Sequence, residues 1–155
     1  MANILLLEDD MEFAFRLRSW IEAAGHLVDW CASGADAITA LETICYDLVI
    51  ADMYIYEDGQ ISQDGGISLI AALRMGRFNL KLRTPWDVPI LAISGVIRGK
   101  GKRYALAVAE SLGAERTLKK PFQKEQFLAE ISMLSERQPT GLTKRLRHPP
   151  EKRHR

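Results

Sequence analysis

Short, mostly apolar runs alternate with amphipathic segments along the whole chain, and this alternation constrains the fold more than any other feature. The runs are Ile4–Leu7, His26–Cys31, Asp47–Ala51 and Pro89–Ile93, and Glu115–Lys119 is a weak fifth strand. Each is four to six residues long, which is typical of buried strands, and none shows a clear alternation of apolar and polar residues. Such strands favour a parallel sheet that is covered by helices on both faces.

A segment with the helical spacing of apolar residues follows each run. We expect the first helix to bury Phe13, Leu17, Trp20, Ile21 and Ala24 and to end at Gly25. The second begins at a capping-box-like Ser33 and Asp36 and is expected to bury Ala37, Ile38, Leu41 and Cys45. Three more helices are predicted near residues 67–75, 104–112 and 123–134.

Five successive strand–helix units predict an α/β fold with a doubly wound, five-stranded parallel sheet. Right-handed crossovers leave few arrangements of such units. We expect the flavodoxin-like strand order 2-1-3-4-5, with helices on both faces of the sheet.

Charge is distributed unevenly along the 155 residues, although the net charge is only +1. Residues 137–155 carry seven Lys or Arg and one Glu, whereas residues 1–136 hold 14 basic and 19 acidic residues, a net charge of −5. We therefore expect a domain over 1–136 and a basic, flexible tail over 137–155, too short for a second domain. The net charge of the whole chain, +1, excludes a strongly basic nucleic-acid binder and an acidic disordered chain.

The two cysteines, Cys31 and Cys45, show neither the CxxC spacing nor a nearby histidine that would predict a zinc site. We expect both to be buried, unpaired thiols in a reducing compartment. The sequence shows no signal peptide and no apolar stretch near 18 residues, so a cytoplasmic protein is expected.

Acidic residues follow two of the predicted strands directly. Glu8, Asp9 and Asp10 come after the first strand, and Asp52 comes after the third. In this fold, ligands bind beyond the carboxyl ends of the strands, at the switch point between strands 1 and 3. Because neighbouring carboxylates repel one another, we expect a hard divalent cation there, Mg²⁺ above all.

The fourth and fifth strands bring further polar groups to the same edge. Ser94 ends the fourth, and Lys120 follows the fifth, before Pro121 and Phe122. A carboxylate nucleophile, a cation, a hydroxyl and an ammonium group together suit phosphoryl transfer. Each residue alone is more simply a capping or solvated group, and Asp10 is assigned to helix capping.

With these motifs in register, the chain resembles a response regulator receiver domain of two-component signalling, similar to the chemotaxis receivers. The motifs are ILLLEDD at 4–10, DLVIAD at 47–52, DGG at 64–66, PILAISG at 89–95 and KPF at 120–122. No single motif is specific, but the five in order cover residues 1 to about 136.

The resemblance implies a role for each matching residue. Asp52 matches the phosphoacceptor, Asp9 a direct Mg²⁺ ligand and Glu8 an acidic residue that acts largely through water. Tyr54 matches the position whose backbone carbonyl binds the metal ion. Ser94 matches the switch Ser/Thr, and Lys120 matches the family's lysine, with a cis Lys120–Pro121 bond.

The resemblance also implies a function. A sensor histidine kinase or a phosphotransfer protein would donate a phosphoryl group to Asp52, and the domain would signal through protein–protein contacts, with a phosphorylation-dependent dimer as one form of them. Catalysis would be limited to its own phosphorylation and dephosphorylation. The chain departs from the family at Thr117, where an aromatic residue is usual, in the extended stretch 53–64 and in the basic loop 98–103.

Three alternatives remain open from the sequence. The chain could be an interaction scaffold that is never phosphorylated. It could be a flavodoxin-like domain that binds a flavin or a nucleotide, although three carboxylates after the first strand would repel phosphate. The basic tail and the loop 98–103 could also contact DNA weakly.

Overall fold

A parallel sheet of five strands, in the order β2-β1-β3-β4-β5, organises the chain. The computed structural model describes residues 1–54, 56–57, 60–61, 65–76, 81–95 and 105–136. The strands of the sheet are β1 (Asn3–Leu7), β2 (Leu27–Cys31), β3 (Leu48–Asp52), β4 (Ile90–Ser94) and β5 (Arg116–Lys119). The helices are α1 (Met11–Ala23), α2 (Gly34–Thr43), α3 (Gly66–Met75), α4 (Ala105–Leu112) and α5 (Lys124–Ser135).

This arrangement confirms the predicted fold class, strand order and alternation of strands with helices. Every neighbouring pair in the sheet is parallel, so the carboxyl ends of all five strands lie at one edge. At that edge Leu7 pairs with Ala51, and Asp52 pairs with Ile93. The acidic segment after β1 and the end of β3 are therefore adjacent.

The sheet buries apolar side chains on both faces, which explains why the three central strands, β1, β3 and β4, are almost continuously apolar. On one face, Leu5, Val49 and Ala92 pack with α2, α3 and α4. On the other, Leu6 and Ile50 pack with α1 and α5. Each face takes alternate residues of the same strand, as the two-residue period of a strand requires.

Helix capping positions α1 directly after the acidic segment. The Asp10 carboxylate accepts a hydrogen bond from the Phe13 backbone N–H at 3.1 Å, which confirms Asp10 as the N-cap. Ser33 caps α2 in the same way, through the Asp36 N–H at 3.2 Å.

Two residues expected on inward helix faces lie elsewhere. Ala24 is exposed because α1 ends at Ala23 and the chain turns away at Gly25, which has a positive φ of 89°. Cys45 is exposed because α2 ends at Thr43 and Ile44 is already extended. Cys31 is half-buried, so the expectation that both thiols are buried was wrong, whereas both are unpaired as expected.

A short antiparallel hairpin, with Tyr56–Glu57 paired to Gln60–Ile61, lies between β3 and α3 where only a loop was expected. The basic loop 98–103, Asp64 and the tail 137–155 lie outside the described residues. Within the part of the chain that is described, no helix is both long enough and apolar enough to cross a membrane.

Candidate functional site at the carboxyl edge of the sheet

Three carboxylates meet where β1 and β3 end. Glu8 and Asp9 follow β1, Asp52 closes β3, and one oxygen from each lies within 4.8 Å of the others. Glu8 is fully buried, and Asp52 is only 5% exposed. The sequence predicted this convergence from the positions of the residues after parallel strands.

Burial makes negative charge costly at this cluster. Burial first, and the nearby Asp52 carboxylate second, raise the pKa of Glu8 to about 8. Burial also raises the pKa of Asp52 above its usual range. Carboxylate oxygens this close suit a hard divalent cation such as Mg²⁺, which would offset the repulsion between them. The residues present therefore fit the ion that the sequence implied.

Lys120 supplies a positive charge inside the cluster. Its Nζ lies 2.8 Å from Glu8 Oε2 and 3.2 Å from Asp52 Oδ2. Burial opposes the charged lysine, but the Asp52 and Glu8 carboxylates outweigh it and raise the Lys120 pKa. The backbone also fixes this residue, since its N–H donates to the Ser94 carbonyl at 2.8 Å. The Lys120–Pro121 bond is cis, as the resemblance implies.

Glu8 has more partners than the sequence indicated. Its carboxylate accepts hydrogen bonds from Lys120 and, at 3.1 Å, from the backbone N–H of Asp10. Its backbone N–H donates to the Cys31 carbonyl, and its carbonyl accepts from the Trp30 indole at 2.7 Å. The carboxylate is thus held directly by protein groups, and its expected action through water stays a prediction.

Ser94 and Tyr54 flank the cluster. Ser94 ends β4, is 4% exposed, and its hydroxyl donates to the Gly95 carbonyl at 3.4 Å. The Tyr54 backbone N–H donates to Asp52 Oδ1 at 3.4 Å. The expected roles of the Ser94 hydroxyl as a switch and of the Tyr54 carbonyl as a metal ligand stay predictions.

Thr117 lies on β5, where it pairs in register with Ala92 of β4. Its hydroxyl donates to Glu110 Oε1 of α4 at 3.4 Å. A polar contact between β5 and α4 therefore stands where the family usually has an aromatic side chain.

Two aromatic residues belong to the surroundings of the site, although the sequence suggested only packing roles for them. The Phe13 ring centroid lies 4.4 Å from Lys120 Nζ. Trp30 holds the segment after β1 through the hydrogen bond to the Glu8 carbonyl. The available signal was position: Phe13 lies in the first turn of the helix that follows the acidic segment, and Trp30 lies next to the end of β2.

Comparison with known proteins agrees with this architecture. The family model of the response regulator receiver domain matches residues 4–132. The chain is 30% identical over 129 residues to the autoinducer 2 sensor kinase/phosphatase LuxQ of Vibrio vulnificus, which is 83% of this chain and 13% of that protein. It is 27% identical over 139 residues to the response regulator ArlR of Staphylococcus aureus, 90% of this chain and 55% of that protein.

The chain thus spans a small part of the sensor kinase and about half of the regulator. Among solved structures, the receiver domain of the Francisella response regulator 1452 is similar, with a TM-score of 0.67 and 22% identity over 88% of this chain and 98% of that one. A two-component response regulator from Clostridium difficile gives a TM-score of 0.69 at 20% identity, with the same coverage. These structures share the fold, and because the family model spans most of its residues, the chain belongs to the response regulator receiver domains of two-component systems.

Proposed function

We propose that this receiver domain is a phosphorylation-dependent switch that accepts a phosphoryl group on Asp52. The observation that carries the proposal is the convergence of a carboxylate, Asp52, with two further acidic side chains and one ammonium group at the carboxyl edge of the sheet. A nucleophile beside groups that neutralise phosphoryl oxygens is the arrangement that phosphoryl transfer needs.

In the proposed reaction, an Asp52 carboxylate oxygen forms a bond to the phosphorus of a phosphohistidine on a kinase or phosphotransfer protein. The phosphorus–nitrogen bond breaks, its electron pair stays with the imidazole, and the imidazole takes up a proton. The product is an aspartyl phosphate. Water later attacks this phosphorus, and inorganic phosphate leaves while the carboxylate is restored.

Asp9 and Asp52 are proposed to hold Mg²⁺ directly, together with the Tyr54 carbonyl, and Glu8 is proposed to act largely through water. When bound, the ion would supply positive charge to the phosphoryl oxygens. Lys120 already contacts Asp52, so its ammonium is close to where a phosphoryl group on that residue would lie. Ser94, at the end of the neighbouring strand, is proposed to donate a hydrogen bond to the same group.

Phosphorylation would add negative charge beside Lys120 and Ser94 and thereby bias the surrounding segments between two arrangements. We propose that a sensor histidine kinase or a phosphotransfer protein is the donor and that a further protein reads the result, with a dimer as one possible readout. The domain would catalyse only its own phosphorylation and dephosphorylation. A cytoplasmic location is part of the proposal, supported by the two unpaired cysteines.

The test uses a small phosphodonor, so that no cognate kinase is needed. The protein is incubated with phosphoramidate with and without Mg²⁺, and phosphorylation is read from the intact mass. We expect one phosphoryl group per wild-type chain with Mg²⁺, none after chelation and none in Asp52→Asn. Asp36→Asn, an exposed acidic residue on α2, is the matched control and should behave as wild type.

An intact mass that shows a phosphoryl group on Asp52→Asn would overturn the assignment of the site. A wild-type protein that binds Mg²⁺ but takes up no phosphoryl group, at any concentration of phosphodonor, would instead support the scaffold alternative.

A further inference from the structure

The Lys120 ammonium lies over the face of the Phe13 ring while it also contacts two carboxylates. The Nζ atom makes two contacts with carboxylate oxygens, at Glu8 and Asp52, and lies 4.4 Å from the centroid of the Phe13 ring. A cation within about 6 Å of an aromatic face is attracted to it electrostatically. The lysine side chain is 20% exposed, so this attraction is only partly screened by water.

Contacts of both its backbone and its side chain hold Phe13 in place. At the backbone, the Phe13 N–H donates to the Asp10 carboxylate that caps α1. At the side chain, the ring packs edge-to-face on Phe122, with centroids 5.8 Å apart, and Phe122 stacks on the fully buried Phe127 at 5.4 Å. These contacts therefore hold the Phe13 ring in a defined position beside the ammonium.

We propose that Phe13 is a positioning residue, whose ring face holds the Lys120 ammonium toward Asp52 for contact with the phosphoryl group. This inference rests on the proposed function. Lysine has a flexible four-carbon chain and a strongly hydrated charge. The ring borders the ammonium and restricts that chain next to Glu8 and Asp52.

A purely apolar role for Phe13 makes a different prediction. Leucine would fill much of the same space between Phe122 and the lysine chain but has no π face for the cation. Tyrosine keeps the face, and Phe13 is half-buried, so a hydroxyl can reach solvent. Phe13→Leu and Phe13→Tyr therefore separate packing from cation–π attraction.

The first measurement tests the contact without any phosphodonor. In the wild-type protein, the ε-methylene protons of Lys120 should show an upfield ring-current shift by NMR, assigned through Lys120→Met. The shift should persist in Phe13→Tyr and disappear in Phe13→Leu. A signal that is the same in wild type and Phe13→Leu would overturn the contact.

The second measurement compares two affinities, for Mg²⁺ alone and for beryllofluoride at saturating Mg²⁺, a mimic of the phosphoryl group. We expect Phe13→Leu to weaken beryllofluoride binding about two- to fivefold and to leave Mg²⁺ binding unchanged. Phe13→Tyr, which keeps the aromatic face, should bind beryllofluoride as tightly as wild type. Phe15→Leu removes another α1 aromatic ring, which contacts Trp30 instead of the lysine, and should bind as wild type.

A double-mutant cycle completes the test. In a Lys120→Met background, Phe13→Leu should cause no further loss of beryllofluoride affinity, since the cation is gone. The proposal is overturned if the loss persists in that background, if Phe13→Tyr binds as weakly as Phe13→Leu, or if Phe13→Leu binds as wild type. A wild-type protein that binds no beryllofluoride would overturn the proposed function. It would also overturn this inference, regardless of the NMR result.

Discussion

Glu8 and Asp52 are buried carboxylates that share one ammonium group, from Lys120. Removing two like charges from water is costly unless counter-charges and hydrogen bonds compensate for it. Lys120 compensates only in part, because the pKa values of both carboxyl groups remain raised. This is the physical reason to expect that a cation binds here.

The two cysteines should differ in reactivity. Burial, helped by the negative charges of Asp36 and Asp29, raises the pKa of the Cys31 thiol to about 11, and Cys45 is exposed. At pH 8 iodoacetamide should therefore label Cys45 first, as read by peptide mass spectrometry. The rate at Cys31 should rise as the pH approaches 11. Because the folded state favours the neutral thiol, the stability that this group contributes is lost as the pH rises through that value. Equal labelling rates at pH 8 would contradict the assignment.

Gly66 lies against the backbone of the proposed phosphoacceptor. A Cβ atom at this position would lie 2.3 Å from the Asp52 carbonyl oxygen, so α3 or β3 would have to shift. We expect Gly66→Ala to lower the free energy of unfolding by about 1–3 kcal/mol in urea denaturation.

Gly95→Ala is the matched control for that substitution. Among the described residues, its added Cβ would meet Lys120 Cδ alone, at 3.9 Å, an ordinary van der Waals distance. The free energy of unfolding should change by less than about 0.5 kcal/mol. If the two variants are equally stable, the close approach of Gly66 to Asp52 is not real.

The convergence of Asp52 and Lys120 was predictable from the sequence, but several of their contacts were not. Asp52 ends β3 and Lys120 directly follows β5, and a parallel sheet brings these strand ends to one edge. The pairing of Lys120 with Glu8 joins residues 112 positions apart and depends on side-chain rotamers. The approach of Phe13 to Lys120 depends on how α1 is rotated against β5, which apolar spacing alone does not determine.

At the scale of elements, Arg74 at the end of α3 connects segments that precede β4 and β5. Its guanidinium donates to the Gly113 carbonyl at 3.0 Å, to the Val88 carbonyl at 2.7 Å and to the Trp86 carbonyl. It also pairs with Glu115 at 2.9 Å, and Glu115 in turn accepts the Ile90 N–H at 2.6 Å. One side chain therefore satisfies backbone groups of two loops at the amino edge of the sheet.

Replacing Arg74 should destabilise the fold strongly. Its side chain is only 11% exposed, so Arg74→Met leaves the Glu115 carboxylate and three carbonyls without their partner. We expect a loss of about 3–5 kcal/mol in the free energy of unfolding, measured by urea denaturation. Arg18→Met, which removes the exposed pair with Glu22, should cost only about 0.3–0.5 kcal/mol. Similar losses in both variants would contradict the role given to Arg74.

Element types were predicted well, and their ends less well. The five strands of the sheet and the five helices lie within a few residues of their predicted positions, because short apolar runs indicate the strands and the helical spacing of apolar residues indicates the helices. The end of α2 was missed because the helical spacing continues to Cys45, while the backbone is already extended at Ile44. The hairpin at 56–61 was missed because two-residue strands carry no periodic signal.

At the scale of the whole molecule, the parallel sheet separates stability from function. The network of Arg74 lies at the amino edge, and the acidic cluster of Glu8, Asp9 and Asp52 lies at the carboxyl edge with Lys120. A cation that binds the acidic cluster at the carboxyl edge should therefore stabilise the fold, in addition to the hydrogen bonds that Arg74 makes at the amino edge.

Mg²⁺ should raise the stability of the folded protein. A ligand that binds only the folded state at 100 times its dissociation constant stabilises it by about 2.7 kcal/mol. We expect Mg²⁺ to raise the thermal midpoint of wild type and of Asp36→Asn, and chelation to reverse the effect. Asp9→Asn should lose most of the shift. An equal shift in Asp9→Asn would place the ion elsewhere.

If Asp52 carries the phosphoryl group, chemical reduction of the phosphorylated protein should mark that residue. The protein is treated with phosphoramidate and Mg²⁺ and then reduced with borohydride, which converts an aspartyl phosphate to homoserine, and its peptides are sequenced by mass spectrometry. We expect homoserine at position 52 of the wild-type chain and none without the phosphodonor. Homoserine at another aspartate, or at none, would contradict the assignment of Asp52.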